Sequence, residues 1–236
     1  MTTTLANLTK AEAVYRETRW RVLTGVMLPG TPINQAELAN EFGMSPTPVR
    51  EALRRLESEG FVVFIAHSMV MVAPLDLDEL DELYAIRVEL DSFAGRLAAV
   101  NFTRSDASNW QRLLHPSQGT LTDRFERNRL FHRSVYQASH NTQLIALLDQ
   151  LWDRTERYRI VLVANEASER GTHYAESHSD EDHHAIADAL LKGNAERVGE
   201  LVRKHVQLSH DLIRSVLESE GNEFTCGSAG HAAPTP

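Results

Sequence analysis

The chain has 236 residues, enough for two modest domains, and its net charge of −9 excludes indiscriminate attraction to polyanions. A single cysteine, Cys226, excludes a disulfide framework, and no apolar run is long enough for a membrane span or a secretory signal, so a cytoplasmic protein is expected. The acidity is uneven: through Leu75 seven Lys and Arg match seven Glu, and the whole excess lies downstream.

The first strong pattern is a pair of short helices. Gln35 to Phe42 has helical periodicity, with Asn34 and Glu37 spaced as a capping box, and Gly43-Met44 supplies a break. A second helix then starts with Ser45 or Thr47 as N-cap and Pro46 and Pro48 in its first turn, where proline is tolerated. Within it Val49, Ala52, Leu53 and Leu56 recur at core-facing spacing. Thr47, Arg50 and Arg54 fall on the other side, near a helix N-terminus that favours phosphate. Arg55, between Glu51 and Glu59, belongs to an ion-paired strip. Arg50 and Arg54 read equally well as solvating charges of a surface helix.

The next segment of chain favours DNA. After Gly60, two β-prone runs, Phe61 to Ile65 and Met69 to Ala73, flank Ala66-His67-Ser68, which is how a winged helix-turn-helix continues. Ser45, Thr47, Arg50, Arg54 and, on the wing, His67 are the candidate DNA contacts.

From Asp76 strand signals vanish, and Leu80, Leu83, Ile86, Leu90, Phe93, Ala94 and Leu97 mark a long amphipathic helix. Further helices are expected from Ser105 to Leu114, Leu121 to His140, Thr142 to Ala164, Ser179 to Leu191 and Ala195 to Leu217. Loops at His115–Gly119, Asn141-Thr142 and Lys192–Asn194 separate them. The expected fold is mainly α: a winged helix-turn-helix over residues 1–75, an all-helical antiparallel bundle over 76–218, and a flexible tail over 219–236.

Eleven histidines are many for this length. Asn128 precedes His132 by four residues, placing an oxygen donor and an imidazole on one face. His183 and His205 fall inside the last two helical stripes, so the four residues are candidates for a metal site inside the bundle. Spacing alone leaves hydrogen-bonded core histidines as the commoner outcome.

The stretches Leu28-Pro29-Gly30 and Leu38-Ala39, the run from Ser45 to Leu56, and Glu59-Gly60 resemble the N-terminal domain of GntR-type transcriptional regulators. Two departures are Pro46, where that family often has a DNA-contacting arginine, and Ser68-Met69, which replaces the usual wing-tip glycine. Downstream, Arg87-Val88-Glu89-Leu90, Asn128 to His132, Ala138 to Asn141, Asp182 to Ile186, Gly193-Asn194-Ala195 and His205-Val206 are similar to the ligand-binding (FCD) domain of the FadR subfamily.

That resemblance implies a divalent metal held by Asn128, His132, His183 and His205 beside an effector pocket. Asn128 stands where the family commonly has Asp. Loss of the anionic ligand leaves three imidazoles to carry binding, which favours zinc or nickel over magnesium or calcium. The resemblance also implies Arg87 as the clamp for a small organic acid effector, against an ion pair with Glu82 or Glu89. Arg129, Arg154 and Arg157 are weaker alternatives for the clamp. The stretch between Ala99 and Asn128 is short against the usual domain.

The expected function is a ligand-responsive regulator, a repressor of a metabolic operon, acting as a homodimer on double-stranded operator DNA, with half-sites about 34 Å apart. Effector binding changes DNA affinity only through its preference for one dimer arrangement, typically by about 1–3 kcal/mol. One rival reading is a DNA-binding dimer whose bundle is purely structural. A metal-dependent enzyme is the other, disfavoured because HExxH, GxSxG and phosphate-loop patterns are missing.

Overall fold

The computed structural model describes residues 9–65, 69–107, 110–114, 121–159, 162 and 169–219. Helix α1 (Lys10–Leu23) opens the described chain, capped by Thr9, whose Oγ1 accepts from Glu12 N at 3.2 Å. Strand β1 (Pro32–Ile33) leads into α2 (Gln35–Glu41), where Asn34 Oδ1 accepts from the amides of Ala36 and Glu37. Its carboxamide nitrogen donates to the Glu37 carboxylate, so the expected box closes through the side chain.

Helix α3 (Pro46–Ser58) follows after Gly43, which takes a positive φ. Ser45 occupies the N-cap position without a side-chain cap bond, and Pro46 at the first helical position removes one N–H that would otherwise need a partner. Val49, Ala52, Leu53 and Leu56 are buried against α1 and α2. Strands β2 (Val62–Ile65) and β3 (Met69–Val72) pair antiparallel, with Val62 opposite Val72. The sheet order is β1-β3-β2, with Ile33 opposite Val70. One hydrophobic cluster, from Val14 to Val72, fills this unit.

The second unit begins with α4 (Leu77–Asn101), capped by Asp76 through Glu79 N at 2.7 Å. Short helices α5 (Arg104–Ala107) and α6 (Trp110–Leu114) precede α7 (Leu121–Ala138) and α8 (Thr142–Glu156), which ends in a 3₁₀ turn at Arg157–Arg159. Helices α9 (Glu169–Leu191) and α10 (Ala195–Ser219) complete it.

Helix α10 runs antiparallel along α4. Asp81 pairs with Arg214 and His210, Glu89 with Arg203, and Ser92 Oγ donates to Gly199 O at 2.9 Å. A core including Tyr84, Phe131, Val135, Tyr158, Ile186, Val202 and Ile213 lies between the helices. A smaller cluster joins Ala94, Tyr136, Leu144, Leu148 and Trp152.

This is the mainly helical architecture expected, a winged helix-turn-helix and then a helical bundle, with corrections in detail. The helix expected from Ser105 to Leu114 is described as Arg104–Ala107 and Trp110–Leu114, with residues 108–109 outside the described residues. Helix α7 stops at Ala138, where His140 takes a φ of 54° and turns the chain into the Asn141 cap. Helix α8 tightens into 3₁₀ geometry after Glu156, and residues 160, 161, 163 and 164 of the helix expected from Thr142 to Ala164 lie outside the described residues. Helix α9 starts ten residues before Ser179, and α10 extends to Ser219. The wing tip with His67, the loop around His115 and residues 220–236 lie outside the described residues.

Candidate functional site

On the first unit, Ser45, Thr47 and Arg50 are exposed along the start of α3. Arg50 Nε donates to Gln35 Oε1 on α2 at 3.3 Å, so the two helices share this outer face. Arg54 is also exposed, but its Nη1 contacts Glu57 at 2.8 Å and its guanidinium lies over the Phe64 ring at 3.9 Å. It leans toward the wing strand. Arg55, also exposed, pairs with Glu59 and with Glu12 of α1 and stacks on Tyr15 at 3.6 Å.

In the helical unit, α7, α9 and α10 bring His132, His183 and His205 together. One ring nitrogen from each lies within 4.8 Å of the others, and all three side chains are buried. His132 Nε2 and His205 Nε2 are 3.1 Å apart. His183 stacks on Phe131 with centroids 4.1 Å apart, which fixes its plane. Burial, reinforced by the neighbouring histidines, drives the His132 pKa well below its ordinary value. Burial and His205 do the same for His183, so both stay neutral with a lone pair to donate.

His205 has an orienting partner. Its Nδ1 faces Asp182 Oδ2 at 3.1 Å, so an Nδ1–H directed there leaves Nε2 bare and pointed at the other two imidazoles. These donors fit a borderline divalent ion: two nitrogens sharing a tetrahedral zinc at about 2.0–2.1 Å would stand roughly 3.3 Å apart. The His132–His205 pair, at 3.1 Å, needs little adjustment, and His183, within 4.8 Å of both, would draw in to complete the set.

Asn128 sits at the edge of this cluster. In the orientation that satisfies both ends, its carboxamide nitrogen donates to His183 Nε2 at 3.2 Å, and its oxygen accepts from Arg159 Nη1 at 2.8 Å and Nη2 at 2.6 Å. Asn128 therefore bridges an imidazole to a guanidinium in this state.

Arg87 is buried in the same region. It donates to Thr155 Oγ1 at 3.0 Å and Asp91 Oδ2 at 3.1 Å, and Asp91 also accepts from Tyr136 Oη at 2.8 Å. The ion-pair partner is Asp91, not Glu82 or Glu89; Glu89 is taken by Arg203 across the α4–α10 seam. Burial opposes the charge on Arg87, but Asp91 together with Tyr136 and Tyr84 outweighs it and keeps the guanidinium protonated. Arg87 and Arg159 both face Trp152, at 4.5 and 5.4 Å, and His132 approaches the same ring at 4.9 Å. Trp152 Nε1 is buried and has no hydrogen-bond partner among the described residues. Burial and the nearby charge of Arg87 lower the Arg159 pKa.

Sequence reasoning offers Arg129, Arg154 and Arg157 beside Arg87 and passes over Arg159, although Arg159 follows Trp152 by seven residues and so shares its face. It also misses Asp182 as a partner of His205.

A winged helix-turn-helix joined to an all-helical second unit with a buried imidazole cluster defines a DNA-binding transcriptional regulator. The chain belongs to the GntR family of bacterial regulatory proteins, in the group that carries an FCD domain: residues 10–71 match the gntR family of bacterial regulatory proteins, and residues 82–208 match the FCD domain. It is 28% identical over 215 residues to the uncharacterized HTH-type transcriptional regulator YdhC of Bacillus subtilis, covering 89% of this chain and 92% of that protein. It is 30% identical to a Paenarthrobacter nicotinovorans protein named "Probable D-xylose utilization operon transcriptional repressor", covering 75% and 76%. The structure of McbR/YncC from Escherichia coli superposes with a TM-score of 0.70 at 26% identity, covering 89% of this chain and 99% of that one. These relatives are regulators, which sets aside the metal-dependent enzyme. Among the described residues no helix is long and apolar enough to cross a membrane.

Proposed function

We propose that the chain is a metal-dependent, acid-responsive repressor of the FadR subfamily that binds operator DNA as a homodimer. The observation that carries the reading is the convergence of three buried imidazole nitrogens within 4.8 Å, one of them oriented by Asp182. His132, His183 and His205 hold the ion, zinc or nickel by the chemistry of the donors, and the Asn128 oxygen is a fourth donor once its amide turns. Bound there, the ion would supply a positive centre, and a position beyond the three imidazoles would take either the Asn128 oxygen or an oxygen of the effector.

The effector is a small carboxylate. Arg159, which already holds an amide oxygen, the unpartnered Trp152 Nε1 and the metal offer complementary groups for it. Arg87, committed to Asp91 and Thr155, contributes its field and holds the pocket wall. Repression is supported by the repressor name of the Paenarthrobacter relative. The exposed Ser45, Thr47 and Arg50 face the duplex, with Arg54 toward its backbone; His67, the wing contact expected from the sequence, lies outside the described residues.

A purely structural bundle is the second reading, favoured by the 3.1 Å His132–His205 contact, which serves equally as a hydrogen bond without metal. Metal analysis of the purified protein, followed by thermal stabilisation with small organic acids with and without chelator, separates them. Chelator-sensitive stabilisation supports the sensor; absence of metal and of any acid-induced shift supports the structural bundle.

A further inference from the structure

The segment Thr155–Arg159 touches both units within five residues. Thr155 accepts from Arg87. Glu156 pairs with Arg19 of α1 in the DNA-binding unit and, at 2.5 Å, with Arg129 of α7. Asp153 contacts the same two arginines, at 3.4 and 2.5 Å. Arg157 donates to the carbonyl of Pro74, in the link between the units, at 2.6 Å, and pairs with Glu79. Tyr158 donates to Glu79 at 2.7 Å, and Arg159 reaches back to Asn128. Asn128 and Arg129 are adjacent, so one point of α7 is tied to both ends of this segment.

We infer that Asn128 is a latch that reports occupation of the histidine cluster to the link at Pro74 and to α1. The inference rests on the metal reading of the histidine cluster. His183 Nε2 has one lone pair, so it either accepts from the Asn128 amide or binds a metal. With that lone pair given to an ion, the Asn128 N–H loses its acceptor, the amide turns, and the oxygen that holds both Arg159 Nη atoms leaves them. Arg159 closes the 3₁₀ turn whose first residue clamps Pro74 O, so its release loosens that clamp. The Glu156 and Asp153 carboxylates, shared between Arg129 and Arg19, join the loosened segment to α1. An aspartate at this position would keep its charge-assisted hold on Arg159; the neutral amide makes the contact cheap to break. A carboxylate seated on Arg159 breaks the same contact from the other side.

The test uses the full chain, with zinc or nickel chloride alone as probe. Calorimetry reads binding, and amide hydrogen exchange reads α1 and residues 73–76. In the wild type, metal is expected to accelerate exchange in both segments by at least about twofold. Asn128→Ala, which removes one oxygen donor, should bind metal roughly 10–100-fold more weakly and, without metal, already show the fast exchange of the loaded wild type. Glu156→Gln combined with Asp153→Asn, which removes both shared carboxylates, should bind metal and respond at residues 73–76 but not at α1. The latch is overturned if metal binds the wild type without altering exchange, or if Asn128→Ala and wild type respond alike. If the wild type takes up no metal, the metal reading fails, and equal exchange in metal-free wild type and Asn128→Ala would then overturn the latch on its own.

Discussion

Gly95 of α4 lies directly against Val198 of α10: a Cβ at Gly95 would stand 3.0 Å from Val198 Cγ1 and 3.1 Å from Val202 Cγ2. Both neighbours are branched side chains buried in the core, with no flexible end to swing aside. Since α10 carries His205 and α4 carries Arg87, this close approach sets the register between two functional helices.

Gly95→Leu is therefore expected to destabilise the protein by about 1–3 kcal/mol through overpacking. Gly199 is the tighter counterpart, because its added Cβ would stand 2.8 Å from Arg96 Cγ, the inner part of a side chain whose Nη1 also donates to Ser92 Oγ. Gly199→Ala should therefore destabilise as well, by about 1 kcal/mol, the shift forced on Arg96 outweighing the gain in helix propensity. Chemical denaturation of the two variants checks the pair; a Gly199→Ala protein more stable than the wild type would mean that Arg96 moves aside without cost.

Arg50→Ala should weaken binding to a DNA fragment selected from a random pool by about 1–3 kcal/mol and lower the salt slope by about 1, leaving the bundle folded. Arg54→Ala should cost less, because that guanidinium is engaged by Glu57 and Phe64. Fluorescence anisotropy across a salt series measures both, and unaltered binding by Arg50→Ala would remove this face of α3 from the interface.

Asp182→Asn should lower metal affinity roughly 10–100-fold by releasing the His205 ring, whereas His183→Ala should abolish chelator-sensitive stabilisation. Competition with a chromogenic chelator gives the first quantity and thermal melting the second. Retention of full affinity by Asp182→Asn would show that the 3.1 Å contact to His205 does not orient the ligand.

Acid sensitivity should trace in part to Glu79. Burial raises its pKa, but Arg157, Tyr158 and Arg154 outweigh that and hold it below 4.5. The unfolded carboxyl takes up its proton first as pH drops, so the stabilisation present above about 4.5 is lost as pH falls through the folded value. Glu79→Gln should flatten this limb of the stability profile below pH 4.5, measured by urea denaturation at stepped pH; a limb as steep as that of the wild type would assign it to other carboxylates.

The parts of this molecule legible from sequence are those with local causes. Asn34, Gly43 and the Val49–Leu56 stripe announce α2 and α3, and four-residue and helical spacings single out His132, His183 and His205. Helix α1 is hard to read because Thr18, a polar residue, interrupts its buried stripe and apolar Trp20 is left exposed. Strand β1 is two residues long and exists only through pairing with β3. The first ten residues of α9, Glu169 to His178, carry few apolar side chains and so show no period. Asn128 stands out as a ligand, but its bridge to Arg159 joins different helical segments and leaves no local trace.

Trp152, faced by Arg87 and Arg159 and approached by His132, is also a built-in optical reporter. The chain has three tryptophans, so a double variant with Trp20→Phe and Trp110→Phe would confine the emission to this ring. Nickel at the imidazoles should quench that emission strongly, and an acid entering between the guanidiniums should shift its maximum, giving occupancy of the pocket without a label and without DNA.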